Sequence, residues 1–406
     1  MWCTHIDTRD SVQHAPLQEN SVGEHAEQPE REDDMSRVPI RAAVFRTAGA
    51  PMDIEMLFLD EPGPGEVMVR TTAAGLCHSD LHYLNGSLGI QTPAVLGHEV
   101  AGIVERCGPG VSRVGAGDWV VVTITPSCGQ CAQCVSGHPT QCTRVSAMRE
   151  RAVPLLVDED GEPVTSLGAI GGFAEALVVP ESALAIVDAG MPATVACLLG
   201  CCISTGVGAV IHGANVGPTD TVAVIGCGGV GMAAIQGARL SGARRIIAID
   251  VHEDKLALAR ELGATDGVLS SGDATRDAVL AIVPDGVTRA FEAVGRPATA
   301  ELAFSLLAPG GVATILGLMP PGSTIRIDAS DLIEGDRRLQ GAYMGANRFL
   351  ADVTALTDHY RSGRLDLESM ITGTVTLEDI DAGFSAMTGP AAIRTVIRFD
   401  EKVTTP

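Results

Sequence analysis

Two groups of side chains that could bind metal ions follow one another between Cys77 and Cys142. The second group consists of four cysteines, Cys128, Cys131, Cys134 and Cys142, with two residues between successive members and seven before the last. Four thiolates complete the tetrahedral shell of a zinc ion and leave no position for a substrate. The spacing therefore predicts a structural zinc site within residues 128–142.

The first group offers one thiolate and one imidazole, separated by a long loop. Cys77 comes first, and His98 follows with Glu99 beside it. A catalytic zinc ion has three protein ligands and keeps a fourth position for water or substrate. We therefore expect a further ligand from elsewhere in the chain, with Glu99 next to the metal as an outer or transient ligand.

Polar side chains close to Cys77 suggest how a proton could leave the site. An alcohol oxygen that is polarised by a metal must give its proton to a group within hydrogen-bond reach. Ser79 lies two residues from Cys77, and His82 can pass a proton to solvent near neutral pH. We predict a relay from Ser79 to His82, and we expect Asp80 to orient His98 through its second ring nitrogen.

A second motif predicts a dinucleotide site. An apolar run at 221–225 reads as a strand, the glycine turn contains Gly226, Gly228 and Gly231, and a predicted helix covers 232–240. These glycines permit a tight turn, close approach of a pyrophosphate and close packing of helix on strand. The next predicted strand, 245–249, ends in Asp250, whose carboxylate can accept the adenosine ribose hydroxyls and would repel the extra phosphate of NADP. NAD is therefore the expected cofactor.

The surrounding patterns predict an α/β protein with two kinds of sheet. Short apolar runs at 42–45, 56–59, 66–70, 100–105 and 118–122, punctuated by glycine and proline, favour a partly open β-barrel. After residue 203, strands alternate with helices, which predicts a doubly wound parallel sheet.

The segment Gly97-His98-Glu99-Val100-Ala101-Gly102 and the four-cysteine lobe resemble the zinc-dependent medium-chain alcohol dehydrogenases. The similarity extends from about residue 40 nearly to the end. It implies a GroES-like barrel with a Rossmann cofactor domain, and two zinc ions per chain. It also implies that the third catalytic ligand is Cys201, in the segment Gly200-Cys201-Cys202-Ile203-Ser204-Thr205-Gly206. Cys202 is its neighbour, and adjacent helical residues point about 100° apart, so only one can face a metal.

The same resemblance implies further contacts and a division into domains. The implied cofactor contacts are His78, Thr205, Lys255 and Arg394, and the implied substrate pocket residues are Leu88 and Ile124. The expected domains are an acidic disordered extension over 1–36, a catalytic domain over 37–202, a cofactor domain over 203–343 and a return to the catalytic domain over 344–406. The implied reaction interconverts a primary alcohol, aromatic or of medium chain length, and its aldehyde.

The composition of the chain limits the classes of binding partner and the cellular location that we expect. The formal net charge is −22, which argues against nucleic acid and anionic membranes as partners and favours small molecules. No apolar run approaches the roughly 20 residues that span a bilayer, so we expect a soluble, cytoplasmic protein.

We interpret the eleven cysteines as metal ligands and buried thiols. The long connection over 143–172 favours a homodimer in this family, with a tetramer as the alternative.

Three other readings stay open at this point. A thiol-dependent formaldehyde dehydrogenase would need a cation in the channel, for which Arg144, Arg149 and Arg151 are candidates. A nicotinoprotein would retain its NAD through every turnover. A zinc-stabilised NAD-binding protein without catalysis is the third reading, and the complete set of candidate ligand, relay and cofactor residues argues against it.

Overall fold

In the computed structural model, residues 37–399 are described, and the predicted N-terminal extension lies outside them. The first part of the chain is mainly β-structure. Its elements are β1 (Val38–Phe45), β2 (Asp53–Leu59), β3 (Glu66–Gly75), α1 (His78–Leu84), β4 (Ala94–Val95), β5 (Glu99–Cys107), β6 (Trp119–Val122), α2 (Ala132–Val135), α3 (Val145–Arg149), β7 (Leu156–Val157), β8 (Thr165–Ser166), β9 (Ala176–Pro180), β10 (Leu184–Ile186) and α4 (Ala193–Ala196).

The middle of the chain alternates helices and strands. Its elements are α5 (Cys202–Gly208), β11 (Thr221–Ile225), α6 (Gly229–Leu240), β12 (Arg245–Asp250), α7 (Glu253–Leu262), β13 (Asp266–Leu269), α8 (Ala274–Ile282), β14 (Val287–Glu292), α9 (Pro297–Ser305), β15 (Leu307–Ile315), α10 (Ala329–Glu334) and β16 (Arg338–Gly341). The last elements are α11 (Phe349–Arg361), β17 (Ile371–Val375), α12 (Ile380–Ala386) and β18 (Arg394–Arg398).

The β-rich part contains two sheets that form the predicted partly open barrel. One sheet has the strand order β7-β2-β1-β4-β8, and the other has β10-β6-β5-β3-β18-β17, with β9 also paired to β3. The residues between them are small and branched apolar side chains that exclude water, including Val44, Leu57 and Val100. The last strand, β18, returns from the far end of the chain and pairs antiparallel with β3 at its end near Gly75.

The middle part contains the predicted doubly wound parallel sheet. Its strand order, β13-β12-β11-β14-β15-β16, places the first strand of the motif at the centre. In such sheets, the strand order changes direction beside the first strand, and ligands bind outside the carboxyl ends of the strands there. The glycine turn after β11 lies at this position, as the sequence predicts.

Some elements differ from the sequence-based prediction in their extent. Helix α6 begins at Gly229, within the glycine turn, and α1, which carries Ser79 and His82, was not predicted as a helix. Glycine has a low helix propensity, and a short polar segment gives only a weak helical pattern. Packing therefore decides where α6 begins and whether α1 forms.

In the described part of the chain, no single helix has the length and apolar composition to cross a membrane. One bent pair, Ala193–Gly200 with Cys202–Gly213, passes that test by length and composition alone, with a bend of 52°.

Candidate active site and metal sites

Three elements of the barrel and one helix bring four potential ligands together. Cys77 lies between β3 and α1, His98 directly precedes β5, Glu99 is the first residue of β5, and Cys201 precedes α5. One donor atom from each residue lies within 4.8 Å of the others, and all four residues are buried. This is the arrangement that the first metal site requires, assembled from segments that are distant in sequence.

The position of His98 depends on a glycine. Gly97 has φ of +91°, and a Cβ atom there would lie 2.5 Å from the Phe173 ring. Glycine is the residue that adopts this backbone conformation without a steric cost. Gly97 therefore lets the chain turn tightly against Phe173 and deliver His98 to the site.

Asp80 fixes the geometry of this cluster. Its carboxylate is fully buried and accepts hydrogen bonds from the backbone N–H groups of Cys77 (3.2 Å) and Gly97 (3.1 Å). It also lies 3.1 Å from Nδ1 of His98, the contact that the sequence predicts. Burial lowers the pKa of His98, but Asp80 and Cys77 outweigh this and raise it well above its usual value. With Nδ1 bound to Asp80, Nε2 is left to face the thiols.

Glu99 has an unusual environment beside these ligands. It is fully buried, and within residues 37–399 neither of its carboxylate oxygens accepts a hydrogen bond. Nη2 of Arg394 lies 3.4 Å from Oε1. Burial raises the pKa of Glu99 to about 7, and the charge of Arg394 opposes this. A buried acceptor without a donor, next to two thiols and an imidazole, suits a cation.

The four-cysteine lobe forms the second cluster. The Sγ atom of Cys131 lies 3.5 Å from that of Cys134 and 3.9 Å from that of Cys142. Zinc–sulfur bonds of about 2.3 Å in a tetrahedron give sulfur–sulfur separations of roughly 3.8 Å. Backbone N–H groups lower the pKa of Cys131 to about 5, which favours the thiolate that zinc binds. Both clusters thus fit zinc by their donor chemistry.

The two adjacent cysteines near residue 201 have different surroundings. Cys201 joins the first cluster, whereas Sγ of Cys202 donates to the carbonyl of Leu198 at 3.6 Å. The expected reason was their separation around a helix, but Cys201 lies outside α5, at the break before it, with φ of −142°. The break in the helix, rather than helical periodicity, therefore separates the two thiols.

The residues of the predicted proton relay lie on one short helix. Ser79 Oγ lies 3.7 Å from Cys77 Sγ, and His82 is half-buried one turn later on α1. Among the described residues, no hydrogen bond joins Ser79 directly to His82. The helix therefore carries both groups of the predicted relay, but no direct hydrogen bond links them.

The glycine turn has the geometry of a phosphate-binding loop. Gly226 has φ of +92°, Gly228 caps α6, and a Cβ atom on Gly231 would lie 1.8 Å from the carbonyl oxygen of Gly226. Asp250 is 9% exposed and already accepts backbone N–H groups of Cys227 (2.7 Å) and His252 (3.0 Å). Asp250 therefore braces the turn in addition to any contact with a ribose.

Arg394 connects the metal cluster with the glycine turn. It is only 3% exposed, and its Nη1 donates to the carbonyl of Leu76 at 3.1 Å. A Cβ atom on Gly229 would lie 2.2 Å from its Nε, which has no hydrogen-bond partner among the described residues. The guanidinium thus faces both the turn and Glu99. The other predicted cofactor residues are Thr205, which is buried, Lys255, which is half-buried on α7, and His78, which is exposed.

The predicted pocket residues lie near the cluster, together with others that the sequence did not indicate. Ile124 packs against Cys77, Cys201 and Met344, and Leu88 is half-buried after α1. Met344 was missed because it follows a strand far along the chain and belongs to no motif. Arg149, proposed from sequence only for one alternative reading, donates from Nη2 to the Ile124 carbonyl.

Comparisons with known proteins agree with this architecture. Two family models match: "Alcohol dehydrogenase GroES-like domain" over residues 63–189 and "Zinc-binding dehydrogenase" over residues 229–358. "Putative alcohol dehydrogenase D" of Mycobacterium tuberculosis is 33% identical over 362 residues, which is 88% of this chain and 98% of the relative.

Two solved structures are also similar over most of their length. The alcohol dehydrogenase zinc-binding domain protein of Burkholderia ambifaria is 34% identical with a TM-score of 0.85, covering 90% of this chain and 100% of that one. Benzyl alcohol dehydrogenase of Acinetobacter calcoaceticus is 29% identical with a TM-score of 0.83, covering 89% and 100%. The chain is therefore a member of the zinc-dependent medium-chain alcohol dehydrogenase family, an oxidoreductase with a GroES-like domain and a Rossmann domain.

Proposed function

We propose that this alcohol dehydrogenase uses NAD to interconvert a primary alcohol and its aldehyde, with two zinc ions per chain. The observation that carries the proposal is the convergence of Cys77, His98 and Cys201 beside Arg394, which itself faces the glycine turn. The proposal is supported by this geometry, because the cluster of potential ligands and the glycine turn lie on two sides of one arginine.

The two clusters have different proposed roles. Cys77, His98 and Cys201 would hold the catalytic zinc, with Glu99 beside it, and Cys128, Cys131, Cys134 and Cys142 would hold the structural zinc. When bound by the first set, zinc acts as a Lewis acid that makes the alcohol more acidic. The chain keeps the first set competent through Asp80, which orients His98 and anchors the backbone of Cys77.

The remaining residues handle the proton and the cofactor. Ser79 receives the proton of the alcohol, and His82, at the half-exposed side of α1, passes it to solvent. Gly226, Gly228 and Gly231 form the pyrophosphate site, with Arg394, Thr205 and His78 near it, and Asp250 and Lys255 at the ribose. NAD supplies the hydride acceptor, and Asp250 disfavours NADP by repelling its extra phosphate.

The residues of the proposed pocket favour a substrate whose carbon skeleton is apolar. Ile124 and Met344 line the wall next to the cluster, and Leu88 is proposed for the opposite wall. Apolar side chains in a cleft favour an aromatic or medium-chain alcohol, since burial of its carbon atoms is favourable. The homodimer, the cytoplasmic location and the domain boundaries 37–202, 203–343 and 344–406 are further parts of this proposal.

The deciding experiment combines metal analysis with activity. We expect two zinc ions per chain in the purified protein, and NADH formation from benzyl alcohol and from medium-chain primary alcohols, with NAD preferred to NADP. One zinc ion per chain without turnover of any alcohol would contradict the catalytic site around Cys77. A cofactor that stays bound through gel filtration would instead indicate the nicotinoprotein reading.

A further inference from the structure

Lysine is almost absent from this chain. Of the 28 lysines and arginines, only Lys255 and Lys402 are lysines. Lys402 lies outside the described residues, so Lys255 carries the single side-chain amine of residues 37–399. Lysine amines condense with carbonyl compounds, whereas the guanidinium of arginine stays protonated and is a poor nucleophile. A carbonyl compound that reacts with amines therefore has one side-chain target in the described part of the chain.

Lys255 lies in the first turn of α7, beside the proposed cofactor site. This helix follows β12, whose carboxyl end lies at the same sheet edge as the glycine turn after β11. The side chain of Lys255 is half-buried. Burial raises the pKa of the Cys227 thiol, in the glycine turn, and the charge of Lys255 opposes this effect. The amine of Lys255 is therefore close enough to the turn to act on it electrostatically.

The amine of Lys255 has no acidic partner among residues 37–399. Glu253, in the same turn of α7, pairs with Arg260 at 3.0 Å instead. Asp250, at the end of β12, accepts backbone N–H groups, including that of Cys227 at 2.7 Å. No side chain of the described residues thus occupies the amine, and it is available to a ligand or to a reagent at the edge of the cofactor site.

We propose that Lys255 is a modification site at which the aldehyde product of this enzyme condenses, so that the adduct and the cofactor exclude one another. The inference rests on the proposed function, which supplies the aldehyde and places Lys255 at the ribose. The unprotonated amine adds to the carbonyl carbon. A C=N bond forms, the C=O bond breaks, and the oxygen leaves as water with both amine protons. No oxidant or reductant takes part, so water reverses the step.

The adduct is larger than the amine and lies where the ribose of the cofactor is proposed to bind. It carries the carbon skeleton of the aldehyde into a half-buried position. We expect the affinity for NADH to fall about 10-fold, which corresponds to the loss of one hydrogen bond to a charged group. A bound nucleotide should in turn protect Lys255. The modification therefore acts when aldehyde is abundant and the cofactor site is empty.

The test uses added aldehyde and does not depend on turnover. The full-length protein is incubated with benzaldehyde and sodium cyanoborohydride, which reduces the imine to a stable secondary amine. A parallel sample contains ADP, which has the adenosine ribose and the pyrophosphate but neither an aldehyde nor a nicotinamide. Peptide mass spectrometry locates the adduct, and NADH fluorescence measures the dissociation constant after the reagents are removed. We expect an adduct at Lys255 that ADP prevents, and a dissociation constant about 10-fold higher without ADP.

Two variants separate the position of the amine from its presence. Lys255→Arg keeps the positive charge and removes the amine, so treatment should leave its own NADH dissociation constant unchanged. The control combines Lys255→Arg with Arg260→Lys, which moves the amine to an exposed position on the same helix. This double variant should form an adduct without losing affinity for NADH.

Each outcome has a defined meaning. Modification confined to Lys402 or to the N-terminal amine would overturn the inference, as would an adduct at Lys255 that leaves the affinity for NADH unchanged. An equal loss of affinity in treated Lys255→Arg would also overturn it. Oxidation of benzyl alcohol by the untreated enzyme is measured separately, and its presence in these cases still supports the proposed function. Absence of turnover with every primary alcohol would overturn the proposed function and, with it, the aldehyde as a product.

Discussion

The two candidate metal sites of this protein are built in opposite ways. The four-cysteine lobe takes all its thiols from residues 128–142, whereas the cluster around Cys77 takes its ligands from three distant segments. The lobe surrounds its sulfurs with backbone donors: Cys131 N–H donates to Cys128 Sγ, and Arg144 N–H donates to Cys142 Sγ. The lobe contains all four of its ligands within one loop. The cluster around Cys77, by contrast, forms only when the whole fold brings its ligands together.

The two clusters also differ in whether they leave a coordination position free for a further ligand. The lobe offers four equivalent soft donors, which fill a tetrahedral shell. The other cluster offers two thiols and one imidazole. Its remaining neighbour, Glu99, lies 3.4 Å from Arg394 and accepts no hydrogen bond from residues 37–399. A site with three firm ligands can exchange its fourth, which catalysis requires and a structural site avoids.

The largest expected effect comes from removing a ligand of the assembled cluster. Cys77→Ser should lower kcat by about 1000-fold or more, because a Lewis acid contributes several kcal/mol to the transition state. Zinc should fall from two ions to one per chain, while NAD binding persists. Zinc analysis and steady-state kinetics measure this, with Cys107→Ser, an exposed cysteine on β5, as the control. Retained activity in Cys77→Ser would contradict the catalytic assignment.

Removing a ligand of the local lobe should act mainly on stability. Cys131→Ser should also cost one zinc ion, and it should lower the thermal unfolding temperature by about 5 °C or more, since metal binding stabilises the folded loop. Differential scanning calorimetry measures the shift. Val135→Ser is the control, because Val135 lies on the same lobe and is 74% exposed. Equal unfolding temperatures for the two variants would show that the lobe binds no structural metal.

A smaller effect is expected from a change in the residue that orients His98 in the cluster around Cys77. Asp80→Asn keeps the size of the side chain but replaces one carboxylate oxygen by an NH2 group, which cannot accept from Cys77 or from Gly97 and His98. We therefore expect kcat/KM to fall about 10- to 100-fold. The affinity for zinc, measured by competition with a chelator, should fall in parallel. Asp118→Asn is the control, since Asp118 accepts from the backbone of Gly115 away from the metal cluster. A normal zinc affinity in Asp80→Asn would contradict the role of Asp80.

The smallest effect concerns the order of metal loss in the wild-type protein. A chelator should remove activity before it lowers the thermal unfolding temperature, because an open coordination position admits the chelator and a filled shell does not. Parallel time courses of activity, zinc content and unfolding temperature measure the order. Simultaneous loss of all three would show that the two clusters are equally accessible, and would remove the distinction between them.

Much of the architecture could be predicted from the sequence because its signals are local. The alternation of strands and helices after residue 203 predicted the parallel sheet, and the run of glycines after β11 predicted the turn. Element boundaries were less accurate where packing decides them, as in α6, which starts three residues before the predicted 232.

The structure places several residues in surroundings that their sequence context did not indicate. Arg394, expected only as a cofactor contact, is buried between the glycine turn and Glu99. Met344 reaches the metal cluster from a segment after β16, with a left-handed φ of 49°. Met344 belongs to no motif, and the contact of Arg394 with Glu99 was not predicted, because both arise between segments that are far apart in the chain.

The sequence by itself determined the four-thiol lobe and the glycine turn. The residues of each lie within one short segment, so their spacing along the chain determines how they are arranged in space. Only the tertiary structure decided which groups face one another around Cys77. It placed Cys201 at the break before α5, brought Arg394 to Glu99 and packed Met344 near Cys77. These relations depend on close packing of distant elements, which spacing along the chain does not encode.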